Sequence, residues 1–305
     1  MTSRAPDPTF CGVPFCADPD SLAADVAVLG APHGTPYKPG RASHAAGGAA
    51  AVRGALGWYA ANPAQFDFDA MTQVFGGARV VDMGDVTGSL EDGAANRAAI
   101  QAAAGQVLAK GAVPLLLGGD DSVPIPFFAA YQREIAIVQI DAHIDWRDEV
   151  EGVHHGFSST MRRASEMAQV RHLVQIGARG PGSARAGDLA DAEAWGARFF
   201  TARRIHEEGL GPALAAVPEG ADVVLSIDVD GLDPSLVPGV ILPAFGGLSY
   251  QQALDVIQGV ATKARIVGAA FVEYVPERDP TGTGAQAIAR LASNVIAAVG
   301  QQRAG

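Results

Sequence analysis

A chain of 305 residues that is 48% hydrophobic and 18% charged is long enough for one large domain or two small ones, and it can bury a sizeable core. Its net charge of −11 argues against a nucleic-acid partner, because affinity for a phosphate backbone rests on Lys and Arg, and favours the attraction of small cations. Two cysteines, Cys11 and Cys16, are too few for a disulfide scaffold; with no apolar run of membrane-spanning length and no signal-like opening segment, a cytoplasmic protein without a membrane partner is expected.

Residues 1–20 read as an irregular N-terminal arm, and residues 21–305 as a single α/β domain. Apolar runs of strand length then follow: DVAVLGAP (25–32), ARVVDMGDV (78–86), AVPLLLGG (112–119) and IAIVQIDAH (135–143). The later ones are HLVQIGARG (172–180), ARFFTARRI (197–205), DVVLSIDVD (222–230) and RIVGAAFVEYVP (265–276). Their continuous apolar character suits strands covered on both faces, as in a parallel sheet. Alanine-rich helical stretches lie between them, clearest at 91–111, 249–264 and 282–302, with Ser249 as an N-cap and Gly111 as a C-cap. The alternation predicts a three-layer α/β/α fold with a mostly parallel sheet of about eight strands.

In open α/β sheets, sites form beyond the carboxyl ends of the strands. That nominates residues 118–122 (GGDDS), 141–156 and 228–234. Asp141, His143 and Asp145 are spaced by two, so a strand running on through them would point all three to one side. Asp228 and Asp230 alternate in the same way, while Asp233 before Pro234 reads as a turn or cap residue. A solvated turn with chance acids is the plain alternative, but same-face carboxylates ending a buried strand repel unless neutralised. With Asp120 and Asp121, the clusters offer up to six acids and one histidine. Oxygen-rich ligation with a little imidazole suits a divalent cation such as Mn²⁺, and the donors exceed what one ion needs. Bridging carboxylates would let two ions sit about 3.5–4 Å apart and share a hydroxide.

The three acidic motifs, in this order and spacing, resemble those of the arginase/agmatinase (ureohydrolase) family. GTPYKPGRASHAAGGAAAVRGAL (34–56) is similar to the family's early loop and first helix, and GAAFVEYVPERDP (268–280) to its last strand and exit loop. The resemblance implies an arginase-like fold, two divalent cations (Mn²⁺ first, Ni²⁺ second) and a homo-oligomer, trimer or hexamer. It implies metal ligation by Asp121, Asp141, His143, Asp145, Asp228 and Asp230, with Asp141 and Asp228 bridging. Asp145 would also serve catalysis, His155 or His154 would shuttle protons, and Glu273 would pair with a guanidinium. The implied reaction is attack of a metal-bridging hydroxide on a cationic guanidino substrate, agmatine-like, giving urea and an amine.

Two departures bear on that expectation. Asp121 stands where the family has a metal-binding histidine; its carboxylate has the reach to ligate, adds a negative charge and favours harder metals. Val240, Ile241 and Leu242 are apolar where small and hydroxylated residues are the family's habit, which points to a changed substrate or a lost activity. The alternatives are therefore a non-catalytic ureohydrolase-like subunit, a hydrolase of another guanidino or formimino compound, and a single-zinc deacetylase with a related sheet. The remaining histidines, His33, His44, His172 and His206, read as structural or exposed, although His33 and His44 flank the early loop at the family's site entrance.

Overall fold

The computed structural model describes residues 5–57, 62, 64–181 and 184–305. The chain runs through β1 (Val26–Ala31), α1 (Gly48–Gly54), a hairpin of β2 (Phe66–Asp67) and β3 (Thr72–Gln73), β4 (Val80–Asp85), α2 (Gly93–Ala109) and β5 (Val113–Gly118). It continues through α3 (Pro124–Ala129), β6 (Ile135–Ile140), α4 (Thr160–Ser165), β7 (Val170–Ile176), α5 (Ala186–Trp195), β8 (Arg198–Phe200), α6 (Ala202–Glu208) and α7 (Gly211–Ala216). Then come β9 (Asp222–Asp228), α8 (Tyr250–Lys263), β10 (Arg265–Val272) and α9 (Thr283–Ala304).

Eight strands form one sheet in the order β4-β1-β5-β10-β9-β6-β7-β8. Every neighbouring pair is parallel. Each of the eight apolar runs supplies one strand. Side chains alternate between the faces, so Val26 and Val28 of β1 join one core while Ala27, Leu29 and Ala31 join the other. The first core takes its helical share from α1 and α6–α9, the second from α2–α5. Burial on both faces is why the strands read as unbroken apolar runs.

Boundaries follow local chemistry. The Ser249 side chain accepts from Gln252 N, and the Gln252 side chain accepts from Ser249 N at 2.9 Å, which starts α8. Gly111 follows α2 at φ +73°. The run at 197–205 is only partly a strand: the Thr201 hydroxyl accepts from Arg204 N at 3.2 Å and turns the chain into α6. Within the arm, residues 5–20 are irregular apart from short 3₁₀ turns and a parallel bridge between Phe15 and Asp82, yet Phe10 is fully buried and its N–H donates to Asp82 Oδ2 at 2.8 Å. Among the described residues, no helix is long and apolar enough to cross a membrane.

One feature of the strand order places the chemistry. β5, β10, β9 and β6 are four adjacent strands at the middle of the sheet. The segments leaving their carboxyl ends must share one rim, and these segments carry Asp121, Glu273, Asp228 and Asp141.

Candidate metal centre

Asp121 follows β5 across Gly118 and Gly119. A Cβ on Gly119 would lie 2.9 Å from the Pro32 carbonyl oxygen, so only glycine lets this exit pass so close to its neighbour. The two adjacent acids then part. Asp120 turns back on its own loop, its Oδ1 accepting from Ser122 N at 3.1 Å and Ser122 Oγ at 2.5 Å. Asp121 points into the rim, where both of its carboxylate oxygens are buried and have no hydrogen-bond partner among the described residues.

Strand β6 ends at Ile140, so Asp141, His143 and Asp145 are not strand neighbours as the spacing predicts. A tight turn gathers them instead: Asp141 Oδ1 accepts from His143 N at 2.6 Å, and Asp145 takes a left-handed φ of +45°. Gln139, still on β6, donates to Asp141 Oδ2 at 2.5 Å and Asp145 Oδ2 at 3.2 Å. Gln175 of β7 in turn donates to Gln139 Oε1 at 2.5 Å. Asp228 is the last residue of β9, and Asp230 lies in the 3₁₀ turn 229–231 that follows, again off the strand. Asp228 Oδ1 accepts from Asp230 N at 2.8 Å, and Asp230 Oδ2 lies 3.2 Å from His143 Nδ1. Gly231 lets the two loops touch, since a Cβ there would sit 2.5 Å from Asp141 N.

Two sets of donors result. One ligand atom each from Asp121, Asp141 and Asp228 lies within 4.8 Å of the others, and so does one each from Asp141, His143 and Asp230. Asp141 belongs to both sets; Asp145 lines the same cleft but falls outside them. Burial, then neighbouring carboxylates, pushes the carboxyls of Asp121, Asp141 and Asp228 well above the usual 3.8. Burial also raises Asp145. For Asp230, burial works upward, but the bond to His143 outweighs it and holds the group below its usual value. Burial opposes charge on His143, yet Asp230 raises it to about 9. Crowded, dry carboxylates, with both Asp121 oxygens unpartnered among the described residues, are a donor set that fits hard divalent cations.

Glu273 follows β10 at φ +68°, its Oε1 accepting from Asp121 N at 2.8 Å. Its Oε2 lies 2.5 Å from Nε2 of His44, a half-buried histidine that also meets Phe157 edge-on at a centroid distance of 5.3 Å. His44 thus differs from its expected place among structural or exposed histidines. The signal was its position in the early loop; no pattern around it pointed to Glu273. Gln139 carried no sequence signal at all.

His154 and His155 go elsewhere. A bridge between Val150 and Val153 folds the loop back, and Gly156 packs against Tyr37, where a Cβ would meet the ring at 1.9 Å. Tyr37 Oη accepts from Ser158 N at 3.0 Å, and Phe157 and Ser158 face the cleft. His154 is exposed, with Nδ1 3.1 Å from the Asp148 carbonyl oxygen. His155 is half-buried; burial, then Arg97 and Arg163, lower its pKa. Neither histidine lines the cleft. Of the apolar stretch, Val240 is buried, while Ile241 and Leu242 form part of the wall of a cleft of about 720 Å³ that holds Asp121, Asp145, Asp228, Asp230 and Glu273.

Known proteins share this arrangement of strands. The chain is 35% identical over 185 residues to a guanidinobutyrase of Pseudomonas aeruginosa, covering 58% of this chain and 57% of that protein. It is 30% identical over 230 residues to the mitochondrial guanidino acid hydrolase of Homo sapiens, covering 72% of this chain and 64% of that protein. Both matches thus span less than two thirds of the relative's own length. Its structure matches that of a hypothetical agmatinase from Burkholderia thailandensis with a TM-score of 0.80 and 28% identity, over 98% of this chain and 92% of the other. Proclavaminate amidino hydrolase from Streptomyces clavuligerus gives 0.80 and 27%, over 97% of both chains. The model of the arginase family matches residues 24–298, nearly the whole described fold, and the chain belongs to that family.

Proposed function

We propose that this protein hydrolyses a guanidino compound to urea and an amine at a centre that holds two divalent cations. The observation that carries this reading is the pair of donor sets joined at Asp141. Asp121, Asp141 and Asp228 would hold one cation; Asp141, His143 and Asp230 would hold the other. Mn²⁺ suits the oxygen-rich set best, with Ni²⁺ as the second choice. Bound there, such cations lower the pKa of water toward neutrality and supply a nucleophile that a resonance-stabilised guanidinium requires.

The side chains around the donors supply the rest. Glu273 offers its carboxylate to the planar guanidinium through charge-assisted hydrogen bonds, and His44 and Asp121 N–H fix its orientation. Asp145 is buried beside the donors with a raised pKa, so it can hold a proton and pass it to the departing nitrogen. Gln139 ties Asp145 to Asp141 and keeps that acid in place. In the net reaction, water oxygen joins the guanidinium carbon, the bond from that carbon to the substituted nitrogen breaks, and the amine leaves protonated. We assign no role at the reacting atoms to His154 or His155, which lie outside the cleft lining. The relatives' names, guanidinobutyrase and guanidino acid hydrolase, support the reaction class.

The test is metal content by mass spectrometry after Mn²⁺ loading, alongside urea release from a guanidine panel. Two ions per chain with urea release are expected. Bound cations without turnover would favour the non-catalytic subunit, and no bound cation would remove the proposal. Family membership also supports a homo-oligomer, which light scattering reads directly.

A further inference from the structure

The cleft wall made by residues 241–245, within the stretch 238–247, contrasts with the acidic floor. This segment, PGVILPAFGG, has no charged side chain and no side-chain hydrogen-bonding group. Leu242 is 59% exposed and Phe245 84% exposed, and both border the cleft with Ile241 and Pro243. A free loop would fold such residues inward, since each carries an apolar burial drive. Here the backbone is pinned. Arg179 donates to the Ala244 carbonyl from both Nε (3.1 Å) and Nη2 (2.8 Å), and its other donors go to the carbonyls of Gly177, Asp230, Gly231 and Leu232. Arg278 holds the carbonyls of Val240 and Ile241 at 3.1 and 3.0 Å. Asp233 Oδ2 accepts from Gly246 N and Gly247 N at 2.9 and 3.0 Å. The loop is held so that its apolar side chains stand at the mouth. Two arginines line the cleft: Arg179, engaged by carbonyls throughout, has no donor left to read an anion, and its charge together with that of Arg147 opposes a second cation.

We propose that this wall is the subsite for the substrate's tail, and that the substrate is a guanidine whose tail is apolar and uncharged at its far end. This rests on the guanidine-hydrolase reading above. A dication such as agmatine would place its second charge against Ile241, Leu242 and Phe245 with no side chain of this wall to solvate it. An alkyl or aryl tail would instead cover them.

The test uses the full-length protein loaded with Mn²⁺ and a series of n-alkylguanidines from methyl to hexyl, with agmatine and 4-guanidinobutanoate as charged counterparts. Both kcat/KM and binding by calorimetry are read, so tail preference is measured even if turnover fails. Each added methylene is expected to raise kcat/KM and affinity about 3- to 4-fold. Hexylguanidine is expected to exceed agmatine by at least about 10-fold. Leu242→Ser and Phe245→Ser should flatten the chain-length dependence. A flat series in the wild type, a preference for either charged tail, or serine variants that retain the slope would overturn the proposal. So would serine variants that lose the slope only by changing the oligomer's mass, which would assign the wall to a second copy of the chain. Absence of all turnover with the binding slope intact would refute the hydrolase reading and leave the subsite standing.

Discussion

Asp121 brings two buried, unpartnered oxygens to a rim that already holds Asp141 and Asp228. The three carboxyls titrate well above 3.8 in the fold. A raised pKa means that the protonated form favours folding, so this stability is full below 3.8 and drains as pH rises through the folded values. A bound cation reverses the loss by neutralising the ionised set. The gap in Tm between Mn²⁺-loaded and chelator-treated protein should therefore widen as pH rises above 3.8, and Asp121→Asn should narrow it. A gap independent of pH would show that these carboxyls are not the cation's ligands. The contact between His44 and Glu273 yields a second prediction. His44→Ala should raise KM for a guanidine by about 10-fold while both cations stay bound, because it loosens the carboxylate without touching a donor. An unaltered KM would leave His44 without a positioning role. The acids were legible because they end apolar runs, where an uncompensated charge is costly. His44 was not, because 229 residues separate it from Glu273 and only the strand order brings them together. The loop histidines fall outside the cleft lining for a similar reason, since Gly156 packs against Tyr37 and Phe157 takes the place at the cleft.

The elements themselves were legible to the extent that their periodicity was long. Eight apolar runs became eight strands because burial on both faces leaves no polar alternation to blur them. The hairpin β2–β3 was missed: its strands are two residues each, too short for any period to show. The join between α1 and β4 was also invisible from sequence. Arg53 is 1% exposed, and it donates to Asp82 Oδ2 from Nε at 2.9 Å, to Asp82 Oδ1 from Nη2 at 3.1 Å and to Asp85 Oδ1 at 2.5 Å. Phe10 N also donates to Asp82, so the arm hangs on the same carboxylate. Arg53→Met should cost about 3–5 kcal/mol, since it leaves Asp82 buried without its cation. Chemical denaturation measures this, and a loss under about 1 kcal/mol would show that the arm and α1 are held by apolar packing alone.

At the scale of the whole molecule, strand order and net charge act on the same point. The four central strands deliver their carboxyl-terminal loops, with their clustered acids, to one rim, and 33 acidic against 22 basic residues give the whole molecule a net negative field. Two bound divalent cations would offset four of the eleven excess charges, so the field persists in the loaded protein. A guanidine with an uncharged tail approaches the rim as a monocation, and the field should concentrate it there. Such steering acts on capture and fades as the screening length shrinks from about 30 Å at 0.01 M to about 4–5 Å near 0.5 M salt. The proposed hydrolysis should therefore lose kcat/KM several-fold over that range through a rising KM, with kcat nearly constant, because the reacting atoms lie in a site whose charges are a few ångströms apart and largely unscreened. A fall in kcat instead would mean that salt strips the cations, which metal analysis at each salt concentration would show. A salt-independent KM would mean that the guanidinium is recognised only on contact with Glu273, and that the acidic surface takes no part in drawing it in.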